Sequence, residues 1–253
     1  MSWHFESAGS GPDLVLLHGW GLHSGVWDEV MPLLEQRFTV HAIDLPGHGW
    51  SHDAAAGSFD ETAADLARAL PRDAVLCGWS LGGLLAQRIA QRDRGHLRAL
   101  VLVGSTPCFT RRDGWAHGME RETLEDFGRG LAGDRMATLT RFVHLNAVNG
   151  AHGRAAARAF TARLCARGAP SPAALERTLG WLRDTDLRQQ VADIAVPTLV
   201  IHGARDVLAP VGAGRWLGHA IPGAHCLELE DAAHLPFFTH RESFARALEP
   251  FGA

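Results

Sequence analysis

Residues 78–83 read Gly78-Trp79-Ser80-Leu81-Gly82-Gly83, at the point where Ala74-Val75-Leu76-Cys77 gives way to Leu84-Leu85-Ala86-Gln87-Arg88-Ile89-Ala90. The first run reads as a buried strand and the second as a helix. A Gly-x-Ser-x-Gly turn between the two is a nucleophile elbow. In so tight a corner, side chains two positions either side of the serine collide, and glycine at 78 and 82 relieves the crowding. The serine is pushed into a strained conformation that exposes its hydroxyl, while the helix aims its first amides at the same spot. The bland alternative is a glycine turn with an idle serine.

Outward from the elbow, short apolar runs alternate with helical stretches. Asp13–Leu17, Phe38–Ile43, Ala74–Cys77, Ala99–Val103, Thr198–Ile201 and Cys226–Leu229 are the strand candidates. Most are continuously apolar rather than alternating, as strands of a parallel sheet covered on both faces should be. Helices are expected over 26–36, 59–70, 81–92, 213–219 and 241–248. The alternation predicts a doubly wound, mostly parallel α/β sheet. It lapses once, from about Pro107 to Thr185, where only helical stretches separated by glycines and prolines occur. Residues 1–107 and 186–253 are therefore expected to form the α/β core, and 108–185 a helical lid.

A serine hydroxyl is a weak nucleophile near neutral pH and needs an oriented base. In the elbow architecture the acid and the histidine follow the serine in that order. Asp206 lies just beyond the strand 198–201, and His234 just beyond the strand 226–229, so both stand at strand exits, where sheet sites collect. Ser80, Asp206 and His234 are the candidate triad. The alternative for the last two is an ordinary loop residue, since the chain holds 15 histidines. The backbone amides of Leu81 and Trp20 are the candidate oxyanion donors, Trp20 because it follows His18-Gly19 after the first apolar strand. His18 is read as a brace for that loop, and Asp44 in Asp44-Leu45-Pro46-Gly47-His48-Gly49 as a stabilising carboxylate. An aspartate nucleophile would need aspartate at position 80. It is serine.

The 253-residue chain carries a formal charge of −4, which argues against a surface given over to nucleic acid. Its 24 basic residues are all arginine, and its four cysteines are scattered with no metal-ligand spacing. Reduced thiols and a cytoplasmic setting are expected, with no signal peptide, membrane span, metal or cofactor. Between Arg135 and Leu175 the charges are sharply one-sided. Six arginines (135, 141, 154, 158, 163 and 167) meet no Asp or Glu there, so this stretch holds +6 and the rest of the chain −10. Such a lid would attract an anionic partner; the bland reading is a solvated helix in an arginine-rich protein.

The set LLHGWGL (16–22), DLPGHGWS (44–51), GWSLGG (78–83), STPCF (105–109), TDLR (185–188) and AAHLPF (232–237) resembles the α/β-hydrolase superfamily over nearly the full length. Within it the set is similar to the biotin-pathway esterases, which hydrolyse the methyl ester of pimeloyl-[acyl-carrier protein]. The resemblance implies an esterase acting as a monomer on a carrier-bound ester. It also implies docking of the acidic carrier protein on Arg141, Arg154 and Arg158. A further docking arginine of that family falls near Ala137, with Arg135 close by. Phe142 and Trp79 match aromatics that, with Trp20, contact the acyl chain; their bland reading is core packing. Two alternatives stand beside this: a short-chain esterase or C–C hydrolase of the same fold, and a non-catalytic receptor that has kept the pocket.

Overall fold

The computed structural model describes residues 3–93, 95–150 and 153–252. Seven strands form one sheet: β1 (Phe5–Gly9), β2 (Asp13–Leu17), β3 (Thr39–Ile43), β4 (Ala74–Trp79), β5 (Leu97–Val103), β6 (Thr198–Gly203) and β7 (His225–Leu229). Their order across the sheet is β1-β3-β2-β4-β5-β6-β7, parallel throughout except for antiparallel β1 against β3. All six residues of β4 are buried, as its unbroken apolar run requires. From β2 the chain first adds β3 on one side and then returns to add β4 on the other. The carboxyl ends of β2 and β4 therefore flank the point where strand order reverses, which is where open α/β sheets form crevices for ligands.

The helices are α1 (Met31–Leu34), α2 (Phe59–Ala69), α3 (Leu81–Gln91), α4 (Arg121–Gly133), α5 (Arg135–Ala147), α6 (Gly153–Arg163), α7 (Pro172–Asp184), α8 (Val211–Ala220), α9 (Pro236–Thr239) and α10 (Arg241–Leu248). Sequence signals for their ends are visible. Ser58 and Glu61 close a capping box at α2, where Ser58 N donates to Glu61 Oε2 at 2.8 Å and Glu61 N to Ser58 Oγ at 3.3 Å. Ser171 caps α7, with Pro172 at its first position.

Two expectations are corrected. The helix expected over 26–36 is a short 3₁₀ turn at Ser24–Trp27 followed by the single turn α1. Pro32 explains the break: inside a continuous helix it would lack an N–H and press on the carbonyl four residues back, but in a first turn it is tolerated. Strand β1 is absent from the apolar runs because FESAG lies at the sheet edge with alternating exposed and half-buried residues. Its place comes from backbone pairing with β3 rather than from hydrophobicity.

Helices α4–α7 lie between β5 and β6, and their apolar faces join the core under the sheet's upper rim. Phe142, Val143, Phe160, Leu175 and Leu182 are buried in the same continuous cluster as Leu14, Val101 and Ile201. Truncating a side chain such as Phe160 in such a setting typically costs about 3–5 kcal/mol. Phe142 meets the Trp20 ring just beyond β2 and Phe160 the Trp79 ring at the end of β4, so the helical segment covers these strand ends.

Candidate active site

Ser80 stands between β4 and α3 with φ +55° and ψ −115°, a conformation that L-residues rarely hold. Such strain costs on the order of 1–3 kcal/mol and persists only where the surroundings impose it. Here Ser80 N donates to Val103 O of β5 (2.9 Å), and Ser105 Oγ donates to Ser80 O (3.0 Å). The glycines act as expected at one position and for a different reason at the other. A Cβ on Gly78 would lie 2.3 Å from Gly82 O, across the turn itself. A Cβ on Gly82 would instead lie 2.4 Å from Leu17 O, so that glycine lets α3 approach the end of β2.

Asp206 and His234, 28 positions apart, meet in the interior. His234 Nδ1 is 2.6 Å from Asp206 Oδ2, and both side chains are fully buried. A carboxylate can only accept, so Nδ1 carries the proton and Nε2 is the bare nitrogen; it is buried and has no partner among the described residues. The other oxygen, Asp206 Oδ1, accepts from the amides of Leu208 and Ala209, each at 2.9 Å. Gly104, just beyond β5 with φ +49°, leaves room for the pair: a Cβ there would lie 3.1 Å from His234 Nδ1 and 3.4 Å from Asp206 Oδ2. Since Ser80 bonds to Val103, the elbow and the Asp206–His234 pair flank the same strand end.

His234 is also held through its backbone. Trp79 Nε1 donates to His234 O at 2.8 Å, and the two rings lie 5.6 Å apart. His234 N donates to Asn146 O, in the last turn of α5, at 3.1 Å. The loop bearing the imidazole is thus fastened on one side to the elbow and on the other to the helical segment.

Trp20 follows β2 as expected, and its loop is braced by His18. His18 Nδ1 donates to Gly19 O (2.8 Å), while Leu45 N donates to His18 Nε2 (3.0 Å), tying the loops after β2 and β3 together. Burial drives this ring's pKa down to about 3, so it serves as a neutral strut. Asp44 accepts from Ser24 N, Ser24 Oγ and Trp50 N. Burial alone would raise its carboxyl; the hydrogen bonds from Ser24 and Trp50 outweigh it and hold the group below the usual range. Both residues are structural, as the sequence suggests. The Trp20 ring meets Phe142 edge-on at 4.8 Å, and its Nε1 donates to Leu175 O of α7 at 3.0 Å. Leu81 opens α3, where the first amides of a helix have no acceptor within it.

The family of the α/β-hydrolase fold matches residues 12–241. This chain belongs to that family. Among α/β hydrolases, it is 43% identical over 247 residues to the pimeloyl-[acyl-carrier protein] methyl ester esterase of Nitrosomonas europaea, covering 97% of this chain and 98% of that one. The like-named protein of Chromobacterium violaceum is 40% identical, covering 98% and 97%. An esterase structure from Exiguobacterium antarcticum superposes with a TM-score of 0.87 at 25% identity, over 99% of this chain and 95% of the other.

The six arginines between positions 135 and 167 of this α/β hydrolase divide into groups that their spacing does not reveal. Arg167 turns inward, with Nη1 2.6 Å from Ser24 Oγ and 2.5 Å from Glu6 Oε2, Nη2 3.0 Å from Asp28 Oδ1, and its guanidinium 4.5 Å from the centre of the Trp50 ring. Arg163 pairs with Glu29 at 2.6 Å. These two fasten the end of α6 and the segment after it to the core. Arg141, Arg154 and Arg158 are exposed and make no ion pair among the described residues. Arg141 lies over the Phe127 ring, 5.7 Å from its centre, and Arg135 is half-buried. Arg154 and Arg158 border a groove of about 820 Å³ whose other walls include Ala147, Val148, Gly150 and Gly153. The clamps on His234 from Trp79 and Asn146 were not legible in the sequence, and no local pattern would have disclosed them.

Proposed function

We propose that this chain is a serine carboxylesterase that hydrolyses the methyl ester of pimeloyl-[acyl-carrier protein], releasing methanol in biotin biosynthesis. The observation that carries the reading is the buried Asp206–His234 pair beside a strained serine elbow, in a chain about 40% identical to proteins named for that reaction. His234 Nε2 takes the proton of Ser80 as Oγ attacks the ester carbonyl, and Asp206 steadies the imidazolium. The oxyanion is received by the amides of Trp20 and Leu81. His234 then protonates the departing methoxide. Water, activated by the same nitrogen, attacks the acyl-enzyme and frees the carboxylate and Ser80.

Residues 108–185 act as the lid in this reading, with Trp20, Trp79 and Phe142 lining the acyl path. Two roles coexist at Trp79, whose ring faces the site while its indole N–H clamps His234. Arg141, Arg154 and Arg158 dock the acidic carrier. Their lack of ion pairs among the described residues supports this, since an unpaired guanidinium is free to meet a carboxylate or phosphate. Arg163 and Arg167 are spoken for by the core and take no part in docking. The protein works in the cytoplasm as a monomer.

The test compares two substrates. Ser80→Ala should remove turnover of both the carrier-linked methyl ester and a p-nitrophenyl ester, by a factor of up to about 10⁶. Replacing Arg141, Arg154 and Arg158 by Glu should raise KM for the carrier-linked ester at least about tenfold and leave the small ester within about twofold. Equal effects on both substrates would remove the docking assignment. A wild-type protein inert toward both would leave the receptor reading standing.

A further inference from the structure

His202 lies on β6, four residues before Asp206, and is completely buried. Its Nε2 is 2.7 Å from Ala209 O. A carbonyl only accepts, so this nitrogen bears the proton. Nδ1, on the other side of the ring, has no partner among the described residues. It is walled off by α8, where a Cβ on Gly214 would come within 2.5 Å of it. A second proton at Nδ1 would find no acceptor there, so geometry keeps the ring neutral. Burial acts in the same direction, lowering its pKa.

What the ring holds is the turn that carries Asp206. Ala209 is tied twice: its amide donates to Asp206 Oδ1 at 2.9 Å, and its carbonyl receives the His202 proton. The same Nε2 is 3.5 Å from Asp206 Oδ2, the oxygen that accepts from His234. With Oδ1 committed to two amides and the turn closed by His202, the carboxylate cannot rotate away from the imidazole. The titratable and charged groups around His202 are Asp206, His234 and Glu228. Glu228 stands opposite on β7 and is paired with Arg215 of α8 at 2.7 Å.

We propose that His202 is a positioning residue for the reaction, a neutral imidazole whose single N–H locks the Asp206–Ala209 turn and thereby presents Oδ2 to His234. The proposal rests on the esterase reading for its catalytic meaning. Its consequence reaches the base itself: a loosened carboxylate no longer fixes the tautomer and direction of the His234 ring, so proton transfer from Ser80 slows.

The experiment uses the full chain with His202→Leu, which has no donor, and His202→Gln, whose amide nitrogen can take the place of Nε2. His202→Asn, polar but too short to reach Ala209, serves as a second donor-deficient variant if the leucine protein does not fold by circular dichroism. The measurements are kcat and KM for a p-nitrophenyl ester, and the downfield proton signal of the Asp206-bound His234 Nδ1–H. The donor-deficient variant should lose about tenfold in kcat, short of the ~10⁴ that follows when the acid no longer orients its histidine. KM should stay within about twofold. The downfield signal should broaden or vanish, and His202→Gln should restore kcat and signal. An unchanged kcat and signal in a folded donor-deficient variant would overturn the proposal, as would a folded His202→Gln that behaves like it. The proton signal decides the matter even if the ester is not turned over, so failure here is distinct from failure of the esterase reading.

Discussion

His18 and His48 lie ring to ring beneath the loop that carries Trp20, their centroids 5.4 Å apart. Both are completely buried, and burial pushes His18 down to about 3 and His48 to about 4, from 6.5. His48 Nδ1 donates to Pro46 O at 3.0 Å, and its Nε2 has no partner among the described residues that could share a second proton. In the unfolded chain both rings bind a proton as the pH falls below about 6.5, whereas in the folded chain neither does until near 4 and 3. Their contribution is thus complete above about 6.5 and is lost progressively as the pH drops toward those folded values. At pH 5.0 the unfolded state gains about 2 kcal/mol per ring, so about 4 kcal/mol of stability should disappear between pH 7.5 and 5.0. That is a large share of the roughly 5–15 kcal/mol of a typical domain. The assay is reversible urea unfolding at both pH values, for wild type and His48→Phe. The variant loses the bond to Pro46 at every pH, so its absolute stability is not the readout. Its drop between the two pH values should be smaller than that of wild type by about 2 kcal/mol. His23 and His202 are also depressed by burial, and they affect both proteins alike. An equal drop in the two proteins would refute the reasoning.

Gly82→Ala should cost at least about 2 kcal/mol and most of the activity, because the new Cβ meets backbone at the end of β2 rather than a side chain that could move; thermal melts and p-nitrophenyl ester turnover would show both. Arg167→Ala removes contacts to Ser24, Glu6, Asp28 and Trp50, and should cost about 1–3 kcal/mol in urea unfolding. Arg158→Ala, which breaks no ion pair among the described residues, should leave stability within about 0.5 kcal/mol.

The parts legible in the sequence are those governed by local rules. A short unbroken apolar run between turn residues reads as a covered strand, so β2, β4, β5 and β6 could be placed from four or five residues each. The elbow was legible because steric crowding acts within six residues, and it supplied the order in which to seek an acid and a base. Asp206 and His234 could then be chosen among many competitors because each follows a strand. The edge strand β1 could not, since FESAG gains its place by pairing with residues 30 to 38 positions away.

Charge shows the division most clearly. Composition alone revealed a stretch with six arginines and no acid, and so the attraction for an anion. Only the tertiary structure decided that Arg163 and Arg167 face Glu29, Asp28 and Glu6, while Arg141, Arg154 and Arg158 face solvent. His202 is the same case inside the molecule: in the sequence it is one of 15 histidines, and only the return of the chain as α8 and the turn at Ala209 gives its two nitrogens different fates. Sequence determines backbone preference and the inventory of charges, because those act between neighbours. Which charges pair and which polar atoms are orphaned depends on segments far apart in the chain meeting in space, and folding alone brings them there.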